Sequence, residues 1–305
     1  MRALVLGGCG FIGSHLVDAL AAQGHFVRVL DRQPERFRPP LRGIEYCYGE
    51  FSDQMAVIEA LTGIDTVFHL VSTTFPGTAN VDPVADIRDN LINTIRLLDS
   101  MLALKVGRIL FLSSGGTVYG APDVVPVPED HPLRPTGSYG IVKVAIEQYI
   151  EMYRKLHGLS SVIVRASNPY GPRQSHTGVQ GVISTFLKRV HDGQPIEIWG
   201  DGTVVRDYLH VADLASCCLR AAASDHFGAF NAGSGEGRTL NDIVDVIRLV
   251  TGADVAPIYK RARAVDIARS VLDVSRAKTM LDWTTSITLE EGVGQSWDWL
   301  KELAV

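Results

Sequence analysis

Apolar residues recur in short runs that alternate with longer stretches of helical periodicity. Residues 3–6 form a continuous apolar run bounded by glycines, Phe11, Ile12, Leu16, Val17 and Leu20 follow at helical spacing, and a second apolar run at 26–30 ends at Asp31. This order reads strand, tight turn, helix, strand. The rhythm then repeats, with strands expected at 43–47, 66–71, 108–112 and 161–165 and helices at 54–61, 83–104 and 139–157. Near-continuous apolar strands alternating with helices predict an α/β fold whose doubly wound parallel sheet is covered on both faces.

Beyond about Asn168 the rhythm loosens. Gly and Pro punctuate residues 169–173, 193–195 and 200–203, and helices are expected at 182–191, 211–224 and 240–250. Two units follow: a sheet domain at 1–168 and a smaller C-terminal α+β domain at 169–305, partly interleaved with the first. The second is expected to close over the carboxyl ends of the strands, where such sheets place ligands. Lys260, Arg261 and Arg263 make the only basic cluster, and a solvated face is its default explanation.

Composition narrows the partners. The chain of 305 residues is 46% hydrophobic and 21% charged, which is ordinary for a globular protein. Its 29 Lys+Arg against 34 Asp+Glu offer no basic excess, so nucleic acid is not an expected partner. Cys9, Cys47, Cys217 and Cys218 form neither a disulfide framework nor a zinc-ligand spacing, which points to a reducing cytoplasmic setting and no metal. The first apolar run is too short for export, and no later stretch approaches the roughly 18 apolar residues of a membrane span.

The turn at residues 7–13 is Gly-Gly-Cys-Gly-Phe-Ile-Gly. Glycines at Gly7, Gly10 and Gly13 let the chain turn sharply and bring backbone N–H groups against a pyrophosphate, while the helix that follows supplies partial positive charge. Asp31 stands where a carboxylate accepts from the adenosine ribose hydroxyls and repels a 2′-phosphate. These features predict a Rossmann-type dinucleotide site that favours NAD over NADP, a preference that the neighbouring Arg32 softens.

After the strand at 108–112 come a Ser/Thr-rich segment, residues 113–120, and then Tyr139 and Lys143, four apart on one helical face. A phenol with an ordinary pKa near 10 is a poor base at neutrality. A neighbouring ammonium and an oxidised nicotinamide would favour the phenolate, making Tyr139 the candidate that takes a proton from a substrate hydroxyl as hydride leaves for the cofactor.

These residues, with the segments GGCGFIGSH, VFHLVS, NLINTIRLLDSM, SSGGTVYG, YGIVK, RASNPYGPRQ, WGDGTVVRDYLHVADLA and RSVLDVSRAKTMLDW, resemble the extended short-chain dehydrogenase/reductase family. Within it the chain is similar to NAD-dependent sugar-nucleotide epimerases of the UDP-glucose 4-epimerase kind. The resemblance implies a redox-neutral cycle in which Tyr139 deprotonates the sugar C4 hydroxyl, a 4-keto sugar turns over in the site, and hydride returns to its other face. It implies that Lys143 holds the nicotinamide ribose and depresses the Tyr139 pKa. It also implies cofactor contacts at Phe11, Ile12, Glu50, Phe51, Leu70, Val71, Ser72, Asn90, Ser113 and Pro169.

One position departs from the family pattern. Gly115 stands where relatives carry Ser or Thr against the sugar O4, so Ser114 or Thr117 is expected to supply the hydroxyl. Gly116 and Thr117 lack the acidic pair of the dehydratases, and the same Thr117 weakens a decarboxylase reading. For the substrate the resemblance implies Asn168, Arg206 and Arg263 near the diphosphate, Asp266 at the ribose, Trp199 against uracil and Ser270 beside the sugar 2-substituent, its small size leaving room for an N-acetyl group. The expected partner is a UDP-hexose, and the resemblance implies a homodimer through a four-helix bundle built from 83–104 and 139–157 of each subunit. The alternatives within this reading are a nucleotide-sugar reductase, a UDP-glucuronate epimerase or decarboxylase, and a non-catalytic NAD-binding protein.

Overall fold

The computed structural model describes residues 1–175, 181–261 and 267–303. The first half runs β1 (Arg2–Leu6), α1 (Phe11–Ala22), β2 (Phe26–Asp31), β3 (Ile44–Tyr48), α2 (Gln54–Leu61) and β4 (Thr66–His69). A continuous helical stretch follows as α3 (Pro83–Asp86), a π-helical segment (Ile87–Ile92) and α4 (Asn93–Ala103), then β5 (Arg108–Ser114), α5 (Ser138–His157) and β6 (Ser160–Ala166). The second half contributes β7 (Asn168–Tyr170), α6 (Val182–His191), β8 (Glu197–Trp199), β9 (Val205–Arg206), β10 (Tyr208–His210), α7 (Val211–Ala223) and β11 (Gly228–Ala232). It ends with β12 (Arg238–Thr239), α8 (Leu240–Thr251), β13 (Ile258–Lys260), β14 (Arg269–Ser270), α9 (Ser275–Leu281) and α10 (Leu289–Leu303).

Seven parallel strands make the main sheet in the order β11-β6-β5-β4-β1-β2-β3. Residues 3–6 of β1 are buried on both faces, as are all four residues of β4, which is why these runs are unbroken in hydrophobicity. One flank packs Leu16, Val17 and Leu20 of α1 with Leu214, Cys217 and Cys218 of α7; the other packs Leu97, Leu98 and Met101 of α4 with Val142, Ile146 and Ile150 of α5. Strand β11 and helix α7, from beyond residue 168, complete the sheet and its cover. A separate cluster joins α6, α8 and α10 through Phe186, Leu187, Ile243, Ile247, Val293 and Leu300. None of the four cysteines is in a disulfide. No described helix is long and apolar enough to cross a membrane.

Local chemistry sets several boundaries. Asp53 caps α2 by accepting from Met55 N and Ala56 N, and Thr239 with Asp242 closes a capping box on α8. Helix α5 ends at Gly158, whose φ of 71° lies in the left-handed region, after Arg154, Lys155 and His157 in its last turn. The helix expected at 83–104 differs from a uniform α-helix because Ile87–Ile92 opens into a π turn. There Asn90 Nδ2 donates to Asp86 O at 3.2 Å and Thr94 Oγ1 donates to Asn90 O at 2.7 Å. Polar side chains thus bond into the backbone ladder, and the average hydrophobic period hides the wider turn.

Candidate active site

The sheet reverses its direction of winding between β4 and β1, and a cleft opens at the carboxyl ends of the strands there. It is lined by Gly7, Gly10, Asp31, Arg32, Glu50, Phe51, Leu70, Val71 and Ser72, together with Leu6, Leu30, Gly49 and Thr73, which the sequence did not single out. The cleft volume is about 190 Å³. The glycines are sterically required: Gly7 has φ +83°, and a Cβ on Gly13 would lie 2.0 Å from Gly7 O. Phe11, Ile12 and Gly13 form the first turn of α1, which has no side-chain cap and no acidic residue in that turn, so its positive end is unscreened. Asp31 is fixed at the rim, Oδ2 accepting from Cys9 N at 3.0 Å and Oδ1 from Gln33 N at 2.9 Å. A cradle that side chains would fill, an open helix N-terminus and a carboxylate at the rim fit a bound NAD.

Helix α5 brings the catalytic candidates to the same end of the sheet. A Cβ on Gly140 would lie 2.8 Å from Pro135 Cβ and 2.9 Å from Thr117 O, so this glycine lets the start of α5 settle on the Thr117 turn. Tyr139 is half-buried and Lys143 buried. Lys143 Nζ donates to Leu112 O at 3.0 Å and lies 4.6 Å from the Phe111 ring centroid and 5.6 Å from that of Tyr139. Burial pushes the Lys143 ammonium down to about 8, opposed by Glu147 and Asp86. The Tyr139 phenol is pushed up to about 12, first by burial and further by Asp86, against a lowering contribution from the Ser72 hydroxyl. In the protein alone, loss of hydration dominates the Tyr139 phenol, with the Asp86 carboxylate adding to it.

The turn after β5 carries the hydroxyl candidates. The buried Ser113 hydroxyl donates to Glu147 Oε1 at 2.5 Å. Thr117 Oγ1 donates to Ser114 O at 3.5 Å. Ser72, expected only as a cofactor contact, stands close enough to the Tyr139 phenol to lower its pKa, while its hydroxyl donates to Thr74 O at 2.8 Å. Asn90 faces the loop after β4: its Oδ1 accepts from Thr73 N at 2.9 Å and its Nδ2 donates to Asp86 Oδ1 at 2.8 Å.

Of the substrate candidates, Arg206 and Ser270 are register partners in the β9–β14 ladder. Arg206 Nη1 donates to Val205 O at 2.9 Å and Ile267 O at 2.7 Å. Asn168 lies on β7 and donates through Nδ2 to Asp207 O at 2.8 Å, while the Pro169 carbonyl accepts from Gln174 Nε2 at 2.9 Å. Trp199 ends β8 with 44% of its surface exposed. Arg263 and Asp266 lie outside the described residues.

Three groups beneath the site were given no role from the sequence. Glu147, one turn beyond Lys143, pairs with Arg165 at 2.7 Å, and Arg165 Nη1 donates to Tyr119 OH at 2.9 Å. The buried Asp207 carboxylate accepts from Ser234 N, Gly235 N and Leu272 N, tying the junction of β9 and β10 to the segment just after β14. Asp86 is wholly buried beside the start of α5. Helical spacing from Lys143 was a usable signal for Glu147; the other two are set by contacts distant in sequence.

The profile of the NAD dependent epimerase/dehydratase family matches residues 3–233. A UDP-glucose 4-epimerase of Mycolicibacterium smegmatis is 35% identical over 309 aligned positions, covering 97% of each chain. The crystal structure of the Thermotoga maritima UDP-glucose 4-epimerase with UDP-glucose superposes with a TM-score of 0.95 at 33% identity over 100% of both chains. That of the Thermus thermophilus UDP-glucose 4-epimerase in complex with NAD does so with a TM-score of 0.91 at 32% identity over 99% of each. The glycine cradle, the Tyr139–Lys143 pair and these likenesses converge, and the chain belongs to the NAD dependent epimerase/dehydratase family.

Proposed function

We propose that the protein interconverts the C4 epimers of a UDP-hexose of the UDP-glucose/UDP-galactose type through a transient 4-keto sugar, with NAD held in the cleft. The observation that carries this reading is the placement of Tyr139 and Lys143 on one face of α5, beside the loop after β4 that lines the glycine-cradled cleft. NAD in that cleft supplies the acceptor and then the donor of hydride. Tyr139 takes the proton of the C4 hydroxyl at its phenolic oxygen and returns it after the keto sugar has turned. Lys143, held by Leu112 O, keeps positive charge beside the phenol, and Ser114 or Thr117 supplies the hydroxyl that Gly115 lacks.

The second unit, 169–305, holds the nucleotide in this reading, with Arg206 and Arg263 matching the diphosphate charge and Ser270 leaving space at the sugar 2-position. The setting is cytoplasmic and the assembly a homodimer. In its support, Ile141, Tyr149, Met152 and Leu156 form one exposed apolar stripe on α5, and Val84, Ile87 and Ile92 are exposed on the adjoining helical stretch. Light scattering of the wild type and of Ile141→Glu with Leu156→Glu tests the dimer; a monomeric wild type rejects it.

Incubation of the purified protein with UDP-glucose, UDP-galactose and their N-acetylated counterparts, followed by product stereochemistry, tests the reaction. Interconversion without net absorbance change at 340 nm is expected. Stoichiometric reduction of NAD, or no turnover of any UDP-hexose, overturns the proposal.

A further inference from the structure

The helical stretch beneath the catalytic pair contains a carboxylate that the proposed chemistry does not use. Asp86 has 0% of its surface exposed and stands where α3 gives way to the π segment. Its Oδ1 accepts from Thr74 Oγ1 at 2.6 Å and from Asn90 Nδ2 at 2.8 Å, and its Oδ2 accepts from Ser138 Oγ at 2.7 Å. Asn90 Nδ2 also reaches Thr74 Oγ1, at 3.2 Å, as that hydroxyl gives its proton to Asp86. All three partners among the described residues are neutral donors, the environment of an ionised, acceptor-only group. A buried carboxylate that forms no ion pair among the described residues is costly unless the surroundings use its charge.

Each donor leads to the active site. Ser138 opens α5 and immediately precedes Tyr139. Thr74 belongs to the loop that carries Ser72, and its carbonyl accepts from the Ser72 hydroxyl at 2.8 Å. Asn90 fixes Thr73 of the same loop. The carboxylate is thus a clamp between the loop after β4 and the first residue of α5, the two segments that flank the Tyr139 phenol. The other titratable groups around the pair are Glu147 on α5, which is neutralised by Arg165, and His69 at the end of β4, which burial holds neutral at about 3. Both Tyr139 and Lys143 respond to the Asp86 charge, each having its pKa raised by it.

We propose that Asp86 is a positioning residue of the catalytic pair: its buried carboxylate locks the start of α5 to the loop after β4 and provides the fixed negative charge that faces Tyr139 and Lys143. This deepens the epimerase reading and rests on it for the role of the pair. By balancing the charge of Lys143 and of an oxidised nicotinamide, Asp86 prevents the phenolate from forming too readily, so that Tyr139 remains able both to take and to return a proton.

The test uses NAD-loaded protein and the ultraviolet difference spectrum of the Tyr139 phenolate, obtained by subtracting the titration of Tyr139→Phe from that of the parent. With Asp86→Asn the ionisation midpoint is expected to fall by about one pH unit, and the acid limb of kcat/KM to move the same way. An unchanged midpoint in a folded, NAD-loaded Asp86→Asn protein overturns the proposal. If that variant does not fold, Ser138→Ala decides: the lock requires kcat to fall several-fold with KM and NAD content unchanged, and full activity overturns it. A wild-type protein that turns over no UDP-hexose rejects the proposed reaction, while the titration, which needs no substrate, still decides the role of Asp86.

Discussion

Leu272 occupies the space that a side chain at position 115 would need: a Cβ built on Gly115 lies 2.6 Å from Leu272 Cδ1 and 3.2 Å from Arg165 O. Leu272 is itself held by its backbone N–H, which donates to Asp207 Oδ2 at 3.2 Å, and by a bridge to Val127. The glycine at position 115 is therefore fitted to the segment just after β14, where Leu272 packs against it. Gly115→Ser is expected to destabilise the protein by about 1–3 kcal/mol without raising turnover. Combined with Leu272→Ala, it should cost less than the two changes summed, because the smaller side chain opens the space. Chemical denaturation of the three variants measures both effects.

Tyr139→Phe removes the phenolic oxygen and keeps the ring against its neighbours. Because acid–base positioning contributes about 10²–10⁴-fold, kcat should fall at least about 100-fold while NAD content and thermal midpoint stay near the wild type. Turnover within tenfold of the wild type would remove Tyr139 from the chemistry.

His69 and His15 make the folded protein sensitive to acid. Burial lowers His69 to about 3, with Lys143 adding to the effect, and lowers His15 to about 4 despite the opposing Pro172 carbonyl. Both are neutral in the native state at pH 6, whereas the unfolded chain protonates them below its ordinary value near 6.5. The unfolded state then binds more protons, so the contribution to stability is complete above pH 6.5 and is lost as pH falls toward 4. Each histidine contributes at most about 1.4 kcal/mol per pH unit in that window. Urea denaturation at pH 7 and pH 5 should show the loss, and His69→Gln should reduce it.

Glu147 and Arg165 form an ion pair with side-chain exposures of 2% and 7%. Glu147→Ala leaves the guanidinium uncompensated and should cost about 3–5 kcal/mol. Since Glu147 also raises the Lys143 pKa, the same change should shift the Lys143 ammonium further below its present value near 8. Thermal melting measures the first effect and the pH dependence of turnover the second.

Asp31 should set the choice of dinucleotide. A 2′-phosphate placed at the rim of the cleft would meet this carboxylate, so NADP should bind at least about tenfold more weakly than NAD, a difference of about 1.4 kcal/mol. Asp31→Ser should narrow that gap and weaken NAD binding at the same time. Fluorescence titration with each dinucleotide gives the ratio.

The strands of the sheet, the glycine cradle, Asp31 and the Tyr139–Lys143 spacing were legible in the chain because each depends on neighbours within about thirty residues. Strand burial appears as unbroken apolar runs, the cradle as glycines between a strand and a helix, and the catalytic pair as two side chains one helical turn apart. Other features depended on contacts between distant segments. The 83–104 pattern gave a helix but concealed its π turn, which arises where Asp86, Asn90 and Thr94 bond across it. The Ser113 hydroxyl meets Glu147 from 34 positions away, and the loop after β4 brings Ser72 near the phenol.

What the chain determined alone was local: which segments become strands and helices, and which backbone groups await a phosphate. Tertiary packing decided the electrostatics, since the pKa of Tyr139 and Lys143 depends on hydration lost in the assembled site and on Asp86, which lies 53 positions from the phenol in the chain yet sets a charge beside it. Periodicity records which side of an element is apolar. Burial and fixed charge at a point in space require the whole fold to be closed around it.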